Sequence, residues 1–288
     1  MRETNPANES DRFTDELLSH LPALVLTGAG VSAGTGIPTY RDENGVWLRS
    51  KPITHQEFLQ QPRQRQRYWG RSMIGWPAVR DATPSTAHRA LASLELQNAI
   101  THTVTQNVDR LHQRAGSRNV TDLHGRLDRI ICIACNALSG REPLQTRLRD
   151  ENPHIRGELA LQPDGDAELP EHLVDSVRVP GCEACGGELM PDVVFFGGSI
   201  PGSRIEKSRQ AMRDARSLLV VGSSLKVYSG YRFCRWAAAE HKPVFLLNPG
   251  VTRADDMGMK WRIDADFGLQ ELSRLLGDTR LPPAQHQE

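Results

Sequence analysis

The amino-acid sequence predicts an α/β fold: a parallel β-sheet with helices on both faces, into which a smaller domain is inserted. Three observations lead to this prediction. Apolar, β-branched runs alternate with helical patterns in the C-terminal half, a glycine-rich turn follows the first apolar run, and two Cys-x-x-Cys pairs lie in a segment of little periodicity. Strands that alternate with helices indicate crossover connections, and hence a parallel sheet.

Six apolar runs are predicted to be strands of this sheet, namely residues 23–30, 100–107, 119–125, 192–198, 217–224 and 243–250. Helices are predicted over residues 203–217, 230–242 and 269–277. Most of the strands end in small or polar residues, among them Gly28, Asn107 and Asn248. Ligands of open α/β sheets bind beyond the carboxyl ends of the strands, so these ends mark the predicted ligand crevice.

Two segments interrupt the alternation and are predicted to build the smaller domain. The first is polar and punctuated by prolines, and the second contains the cysteine pairs. We expect one catalytic unit over residues 15–275, with tails at 1–14 and 276–288. Within it, residues 15–40, 96–125 and 191–275 form the sheet part, and residues 41–95 and 126–190 form the smaller part.

The composition excludes several classes of protein. Lys and Arg number 35, as do Asp and Glu, which gives a formal net charge of zero, and 38% of the residues are hydrophobic. A disordered chain combines low hydrophobicity with high net charge, and a general binder of nucleic acid or membrane surfaces needs a cationic footprint. We therefore expect a globular protein with no direct nucleic-acid or membrane partner.

The N-terminal segment gives no targeting signal. The first 22 residues contain no apolar run of signal-peptide length and carry five acidic residues, which a transit peptide avoids. No stretch of the sequence approaches 18 uncharged apolar residues. We expect a cytoplasmic protein, or a chain that is already in its mature form.

The glycine-rich turn, residues 28–33 (GAGVSA), matches the G-x-G-x-x-G/A fingerprint of Rossmann-like dinucleotide sites. Its glycines allow the backbone to approach a pyrophosphate at a helix N-terminus. In a dehydrogenase a long helix would follow, but residues 34–38 (GTGIP) stop the helix at once, and the next strand begins near Ile100. A loop that contains Arg41 replaces the first crossover, which favours cleavage of a bound dinucleotide over hydride transfer.

Polar side chains follow the second predicted strand. Gln106 and Asn107 can bond ribose hydroxyls or a carboxamide in both directions, and Asp109 can accept from an amide N–H or stabilise positive charge. His124 ends the next strand beside a glycine, which is a suitable place for a general base. The alternative for His124 is a hydrogen-bonded structural histidine. His112 is predicted to be structural and to bond the backbone.

The four paired cysteines, Cys132, Cys135, Cys182 and Cys185, predict a zinc site. Four protein ligands leave no open position, so the zinc ion should be structural; two redox pairs are the alternative. The spacer between the pairs, residues 136–181, has five arginines against nine acidic residues, a net charge of −4 that repels phosphate and argues against nucleic-acid contact. The fifth cysteine, Cys234, is predicted to lie in the core.

The motifs together resemble those of sirtuins. They are GAGVSAGTGIPTYR (28–41), TQNVDRLH (105–112), LHG (123–125), DVVFFGG (192–198), VVGSSLKVY (220–228), LNPG (247–250) and the paired cysteines. The resemblance covers about residues 15–275. Longer stretches look like the class II branch, which includes the mitochondrial sirtuin of animals: RQRYWGRSMIGWP (65–77), PDGD (163–166) and GSSLKVYSGYRF (222–233).

This resemblance implies an NAD-dependent protein-lysine deacylase, which converts NAD to nicotinamide and O-acyl-ADP-ribose and frees the lysine. It implies that His124 activates a ribose hydroxyl and that Asn107 and Asp109 position ribose and nicotinamide. Substrate contacts are implied for Val193, Val194 and Phe195. Further cofactor contacts are implied for Gly28, Ala29, Gly30, Ala33, Thr39, Tyr40, Arg41, Gln106, Gly222, Ser223, Ser224, Asn248, Pro249 and Gly250.

The chain departs from the common sirtuin pattern at three places. Thr39 stands where sirtuins usually have aspartate, Gly198 where they often have an acid, and Ser229-Gly230 replaces a common proline. Tyr68 and Arg71 resemble the Tyr-x-x-Arg of sirtuins that remove acidic acyl groups. This pair predicts a preference for succinyl-, glutaryl- or related branched acidic acyl-lysine over acetyl-lysine, the alternative being a solvated helix face in an Arg-rich run.

Three functions remain open at this level. The leading one is the deacylase, which acts as a monomer on acyl-lysine-bearing proteins or peptides with NAD as co-substrate and one structural zinc ion. A protein mono-ADP-ribosyltransferase is the second, and a non-catalytic NAD-binding or zinc-bearing scaffold is the third. Nicotinamide release that requires an acyl-lysine peptide would separate the first function from the other two.

Overall fold

The described part of the chain forms two β-sheets of unequal size. In the computed structural model, which describes residues 6–37, 53–155 and 169–278, the larger sheet has six strands and the smaller sheet has three. The strands are β1 (Ala23–Thr27), β2 (Ile100–Thr105), β3 (Val120–Asp122), β4 (Gly125–Cys132), β5 (Leu138–Gly140), β6 (Leu189–Val193), β7 (Ser217–Val221), β8 (Val244–Leu247) and β9 (Met259–Trp261).

The larger sheet is entirely parallel, with the strand order β3–β2–β1–β7–β8–β9. The predicted α/β class with a parallel sheet is therefore confirmed. The described residues also form a short 3-10 helix (Ala29–Thr35) and the helices α1 (Pro6–Ser19), α2 (His55–Gln60), α3 (Pro62–Asp81), α4 (Thr86–Leu96), α5 (Leu111–Arg114), α6 (Arg141–Glu151), α7 (Glu171–Val174), α8 (Gly202–Asp214), α9 (Tyr228–Ala239) and α10 (Ala265–Asp278).

Helices cover both faces of the larger sheet, as strand β1 shows. Val25 belongs to an apolar cluster with Phe13 of α1 and Leu269 of α10. Its neighbour Leu24 points to the opposite face and belongs to a cluster with Met212 of α8. All five residues of β1 are buried, which explains why this strand is apolar along its whole length.

The smaller sheet is antiparallel, with the order β5–β4–β6. It packs against α3 and α6 through a third apolar cluster that also contains Phe58 of α2. Trp69 of α3 is completely buried there, and its indole N–H donates a hydrogen bond to the carbonyl oxygen of Leu189 at 3.1 Å. A buried indole needs such a partner, so this bond helps to fix α3 against β6.

The assignment of residues 192–198 to the parallel sheet is wrong. Only Asp192 and Val193 are in a strand, and that strand, β6, pairs antiparallel with β4 of the smaller sheet. An apolar run shows that a strand is buried but does not show its partner. Strands β4, β5 and β9 were not predicted, because they are short or carry polar residues between the buried ones.

The predicted helices are all present with shifted ends. The helix predicted at 230–242 begins at Tyr228, the one predicted at 203–217 ends at Asp214, and the last begins at Ala265. Among the described residues, no helix combines the length and the apolar character needed to cross a bilayer.

Candidate active site

A cleft of about 810 Å³ lies between the carboxyl-terminal edge of the larger sheet and the smaller sheet. The turns after β1, β2, β7 and β8 form one wall, and α3 with the segment after β6 contributes the other. The predicted site residues that line it are Gly28, Ala29, Gly30, Ala33, Tyr68, Arg71, Gln106, Asn107, His124, Val193, Val194, Phe195, Gly222, Ser223, Ser224, Asn248, Pro249 and Gly250. Thr39, Tyr40 and Arg41 lie outside the described residues.

The turns after β1 and β7 touch backbone to backbone. The N–H of Gly30 donates to the carbonyl oxygen of Gly222 at 2.8 Å. A Cβ on Gly30 would lie 2.7 Å from the Gly222 Cα, and Gly222 itself has a φ of +60°. Side chains are therefore excluded from this contact, which leaves backbone groups facing the cleft, as a pyrophosphate site requires.

The helix after the first turn is as short as the sequence predicts. It is a 3-10 helix over Ala29–Thr35, and Gly36 ends it in the left-handed region with a φ of +82°. The loop that the sequence predicts after this helix, with Arg41, lies outside the described residues, and the helices α2, α3 and α4 follow before β2.

Asn107 and Asp109 form a network with Ser32, a residue that sequence reasoning missed. The Asn107 amide donates to the Ser32 hydroxyl at 3.0 Å and to the carbonyl oxygen of Gly28 at 3.2 Å. The Ser32 hydroxyl donates to Asp109 at 2.8 Å, and the Leu111 N–H donates to the same carboxylate at 2.9 Å. Burial raises the pKa of the Asp109 carboxyl, although the hydrogen bonds from Leu111 and Ser32 act to lower it.

Asp109 thus lies behind Asn107 and not in the lining of the cleft formed by the described residues. Its carboxylate fixes Ser32, and Ser32 in turn fixes the side chain of Asn107. The structure therefore brings Asn107 directly to the cleft and gives Asp109 a supporting contact.

His124 is held at both ring nitrogens. Nδ1 lies 3.0 Å from the carbonyl oxygen of Gln106, and Nε2 lies 2.8 Å from the hydroxyl of Ser229. A carbonyl can only accept, so Nδ1 carries the proton and Nε2 has the free lone pair. Burial lowers the pKa of His124 to about 4, although the bond to Gln106 favours the charged form. The ring is therefore neutral near pH 7, as a general base must be.

Gln106 and the loop after β8 complete the wall of the cleft that the turns of the larger sheet form, called here the cofactor wall. The Ser223 hydroxyl donates to the side-chain oxygen of Gln106 at 2.6 Å. The Asn248 amide donates to the carbonyl oxygen of Gly250 at 2.8 Å, and Lys260 donates to the same oxygen at 2.7 Å. These bonds fix the turns after β2 and β8 at the edge of the cleft.

The sequence placed Cys234 in the core and gave His112 a structural role, and the structure describes both residues. Cys234 is completely buried in the cluster around α9, as predicted. His112 is also buried, but its Nε2 is paired with the hydroxyl of Thr27 at 2.9 Å, so the predicted bond to the backbone is wrong. Strand β1 provides this hydroxyl from a position that no local pattern reveals.

The wall of the cleft that α3 and the segment after β6 form, called here the substrate wall, is aromatic. Tyr68 is 4% exposed, and its ring packs edge-on against Phe58 and Phe195 with ring centres 5.4 Å apart in both cases. The segment after β6 is tied to the base, because the Val194 N–H donates to the carbonyl oxygen of His124 at 2.7 Å. Tyr68 and Arg71 lie one turn apart on α3, and both line the cleft.

The four paired cysteines form a cluster whose sulfur atoms all lie within 4.8 Å of one another. Two of the sulfur pairs are 3.5 and 3.8 Å apart. Tetrahedral zinc with bonds of about 2.3 Å separates its sulfur ligands by about 3.8 Å, so a zinc ion fits. The N–H of Gly187 also donates to the Cys185 sulfur at 3.4 Å, which supports a thiolate there. With four ligands from the protein, such a zinc ion is structural.

Comparisons with known proteins agree with this geometry. The model of the Sir2 family matches residues 28–229. The NAD-dependent protein deacetylase of Xanthomonas axonopodis pv. citri is 46% identical over 253 residues, which cover 88% of this chain and 86% of that protein. The NAD-dependent protein deacylase SIR4 of Monosiga brevicollis is 45% identical over 245 residues, or 83% of this chain and 79% of that protein.

Solved structures give the same result. The complex "Sir2-p53 peptide-NAD+" is 26% identical, with a TM-score of 0.72, and the match covers 93% of this chain and 98% of that chain. The fold, the cleft and the cysteine cluster described above are those expected from the resemblance to sirtuins. The chain belongs to the Sir2 family.

Proposed function

We propose that this chain, an NAD-dependent protein deacylase of the Sir2 family, acts preferentially on lysines whose acyl group ends in a carboxylate, such as succinyl- or glutaryl-lysine. One observation carries the acyl preference: Tyr68 and Arg71 line the same cleft as the neutral base His124. The burial of Tyr68 among aromatic rings supports a place for this pair inside the cleft over the alternative of a solvated helix face.

The contacts of the cleft explain how the reaction is supported. Bound NAD supplies an electrophilic ribose carbon with nicotinamide as its leaving group. The glycine turns offer backbone N–H groups to the pyrophosphate, and Asn107, held by Ser32, can bond the ribose or the carboxamide. His124 takes the proton of a ribose hydroxyl on Nε2, while the Nδ1 proton stays bonded to Gln106. The segment Val193–Phe195 can pair with the substrate backbone by strand addition.

The acyl preference follows from the chemistry of a guanidinium in an apolar wall. Val193 and Phe195 provide apolar surface for the methylene groups of an acyl chain. A distal carboxylate can then accept two parallel hydrogen bonds from Arg71. An acetyl group is too short to make this contact and gains nothing from it.

The test compares peptides that carry acetyl-, pentanoyl- and glutaryl-lysine. Pentanoyl has the chain length of glutaryl but no carboxylate, so the ratio of the two kcat/KM values isolates the charged group. Hydrogen bonds to charged groups contribute about 1.5–3 kcal/mol, so Arg71→Ala should lower the glutaryl-to-pentanoyl ratio about 10- to 100-fold.

Arg67→Ala is the matched control. Arg67 precedes Arg71 by one turn of α3, pairs with Glu171 at 3.4 Å and does not line the cleft. Its removal should leave the ratio unchanged. A glutaryl-to-pentanoyl ratio that is the same in wild type and Arg71→Ala would contradict the proposed preference.

A further inference from the structure

The contact between Ser229 and the base His124 has no counterpart in sirtuins with proline at this position, because proline has no hydroxyl. Ser229 lies in the first turn of α9 and lines the cleft, with its Oγ 2.8 Å from Nε2 of His124. The two residues are 105 positions apart in the chain, so the contact is a product of the fold. None of the cofactor or substrate contacts described above uses this hydroxyl.

The direction of the hydrogen bond follows from the other side of the ring. The Gln106 carbonyl oxygen fixes the proton on Nδ1, which leaves Nε2 as an acceptor. The Ser229 hydroxyl must therefore donate its proton to Nε2. Since Nε2 has one lone pair, Ser229 occupies in the free protein the same lone pair that later accepts a substrate proton.

The backbone around Ser229 is fixed by close packing. A Cβ on the next residue, Gly230, would lie 2.6 Å from the side-chain nitrogen of Gln106, and the Ser223 hydroxyl holds the oxygen of the same amide. The N–H of Gly230 also donates to the carbonyl oxygen of Val227 at 3.1 Å. The first turn of α9 is therefore seated directly on Gln106, whose carbonyl oxygen orients the base.

We propose that Ser229 is a positioning residue that holds the imidazole of His124 in both of its protonation states. With a neutral ring, the serine hydroxyl donates to Nε2 and keeps this atom turned toward the cleft. A substrate hydroxyl then takes over the lone pair, and its proton forms an N–H bond on Nε2 while the electron pair of the broken O–H bond stays on the substrate oxygen, which becomes the nucleophile. The serine hydroxyl keeps its own proton, rotates, and accepts from the new N–H through an oxygen lone pair.

This inference rests on the deacylase activity and is independent of the acyl preference. The first experiment measures kcat and KM for NAD and for an acetyl-lysine peptide in Ser229→Ala, Ser229→Thr and Ser229→Cys. Loss of one hydrogen bond to the reacting group should lower kcat of Ser229→Ala about tenfold and leave KM for NAD unchanged. Threonine keeps the hydroxyl and should restore kcat, whereas cysteine keeps the volume with a weaker donor and should not.

Two controls separate positioning from a general structural effect. Ser203→Ala removes an exposed hydroxyl on the neighbouring helix α8 and should behave as wild type. In a His124→Ala background, Ser229→Ala should cause no further loss, because residues that act as a unit are not additive. An unchanged kcat in Ser229→Ala, a change in KM for NAD alone, or an additive loss in the double variant would overturn the proposal.

A second measurement needs no turnover and therefore separates this inference from the proposed function. Nitrogen NMR of the free, zinc-loaded protein reports which nitrogen of His124 carries the proton and whether Nε2 accepts a hydrogen bond. We expect the Nε2 signal to shift in Ser229→Ala and to return in Ser229→Thr. Identical His124 signals in wild type and Ser229→Ala would refute the contact, whatever acyl group the enzyme prefers.

Discussion

Replacing Gly30 with alanine should separate the two turns that form the cofactor wall of the cleft. A Cβ at this position would lie 2.7 Å from the Cα of Gly222 and 2.9 Å from its carbonyl oxygen. Carbon atoms in ordinary contact are about 3.5–4.0 Å apart, so the two backbones must move apart by on the order of 1 Å. Both neighbours are backbone atoms, and therefore no side chain can rotate to make room.

Gly30→Ala should lower both the free energy of unfolding and the affinity for NAD. Overpacking typically destabilises a protein by about 1–3 kcal/mol, and each kcal/mol lowers Tm by about 2–4 °C in a chain of this size. The separation also stretches the hydrogen bond from the Gly30 N–H to Gly222, which is 2.8 Å long. A displacement of about 1 Å can reduce activity about 100-fold, so we expect NAD affinity to fall by at least about tenfold.

Calorimetric titration with NAD and thermal unfolding of the same zinc-loaded sample measure the two effects. Gly202→Ala is the control, because a Cβ at this helical position meets no atom within 4 Å. It should bind NAD as wild type does and should be slightly more stable. A Gly30→Ala protein with unchanged NAD affinity and unchanged Tm would show that the two turns have room to spare, and would refute the packing argument.

Three further predictions concern the rest of the chain. Cys185→Ser, or treatment with a chelator, should remove zinc as measured by atomic emission and should lower Tm, because Cys132 and Cys182 belong to the apolar cluster of the smaller sheet; full zinc content after either treatment would contradict the site. Trp69→Ala should cost about 3–5 kcal/mol in urea unfolding, since Trp69 is completely buried, and an unchanged midpoint would contradict its role. Burial lowers the pKa values of His88 and His102 from 6.5 to about 4. The unfolded chain therefore binds more protons in that window, and stability should fall as the pH decreases from about 6.5 to about 4; urea unfolding at several pH values would contradict this if stability rose on acidification.

The cofactor half of the fold was predictable because parallel strands covered on both faces are apolar from end to end. Strands β1, β2, β7 and β8 all lie inside predicted runs, and each observed strand ends two or three residues earlier. The predicted runs are longer than the strands because small residues such as Gly28 and Gly222 continue the apolar pattern beyond the point where the strand ends. The early end of the first helix was predictable from Gly36, whose φ is positive.

The smaller sheet was not predictable to the same degree. Strand β4 alternates buried residues with Arg126, Asp128 and Arg129, which form ion pairs on the surface. This pattern resembles a polar loop when the sequence alone is considered. The run at 192–198 was assigned to the wrong sheet, because strand pairing depends on residues that are distant in the chain.

Ser223 and Ser224 were predicted and line the cleft, but Ser32 and Ser229 were missed for a related reason. Ser32 and Ser229 act only through partners that the fold brings to them, namely Asp109 and His124. Serine occurs in so many surroundings that it carries no signal by itself. The replacement of a proline at Ser229 was a sign of a local difference, but the sequence could not show that the hydroxyl faces the base.

His124 connects the two walls of the cleft, which explains how the cofactor and the substrate can meet at a single atom, Nε2 of its ring. Only two residues connect β3 of the larger sheet to β4 of the smaller sheet, and the second of them is His124. Its ring contacts Gln106 and Ser229 at the edge of the larger sheet, while its carbonyl oxygen accepts the Val194 N–H of the substrate wall. A Cβ on the next residue, Gly125, would lie 2.0 Å from a backbone oxygen of β6, so the joint is tightly packed. The backbone of the base is therefore tied to the segment after β6 by one hydrogen bond, and its ring is held at the edge of the larger sheet by two.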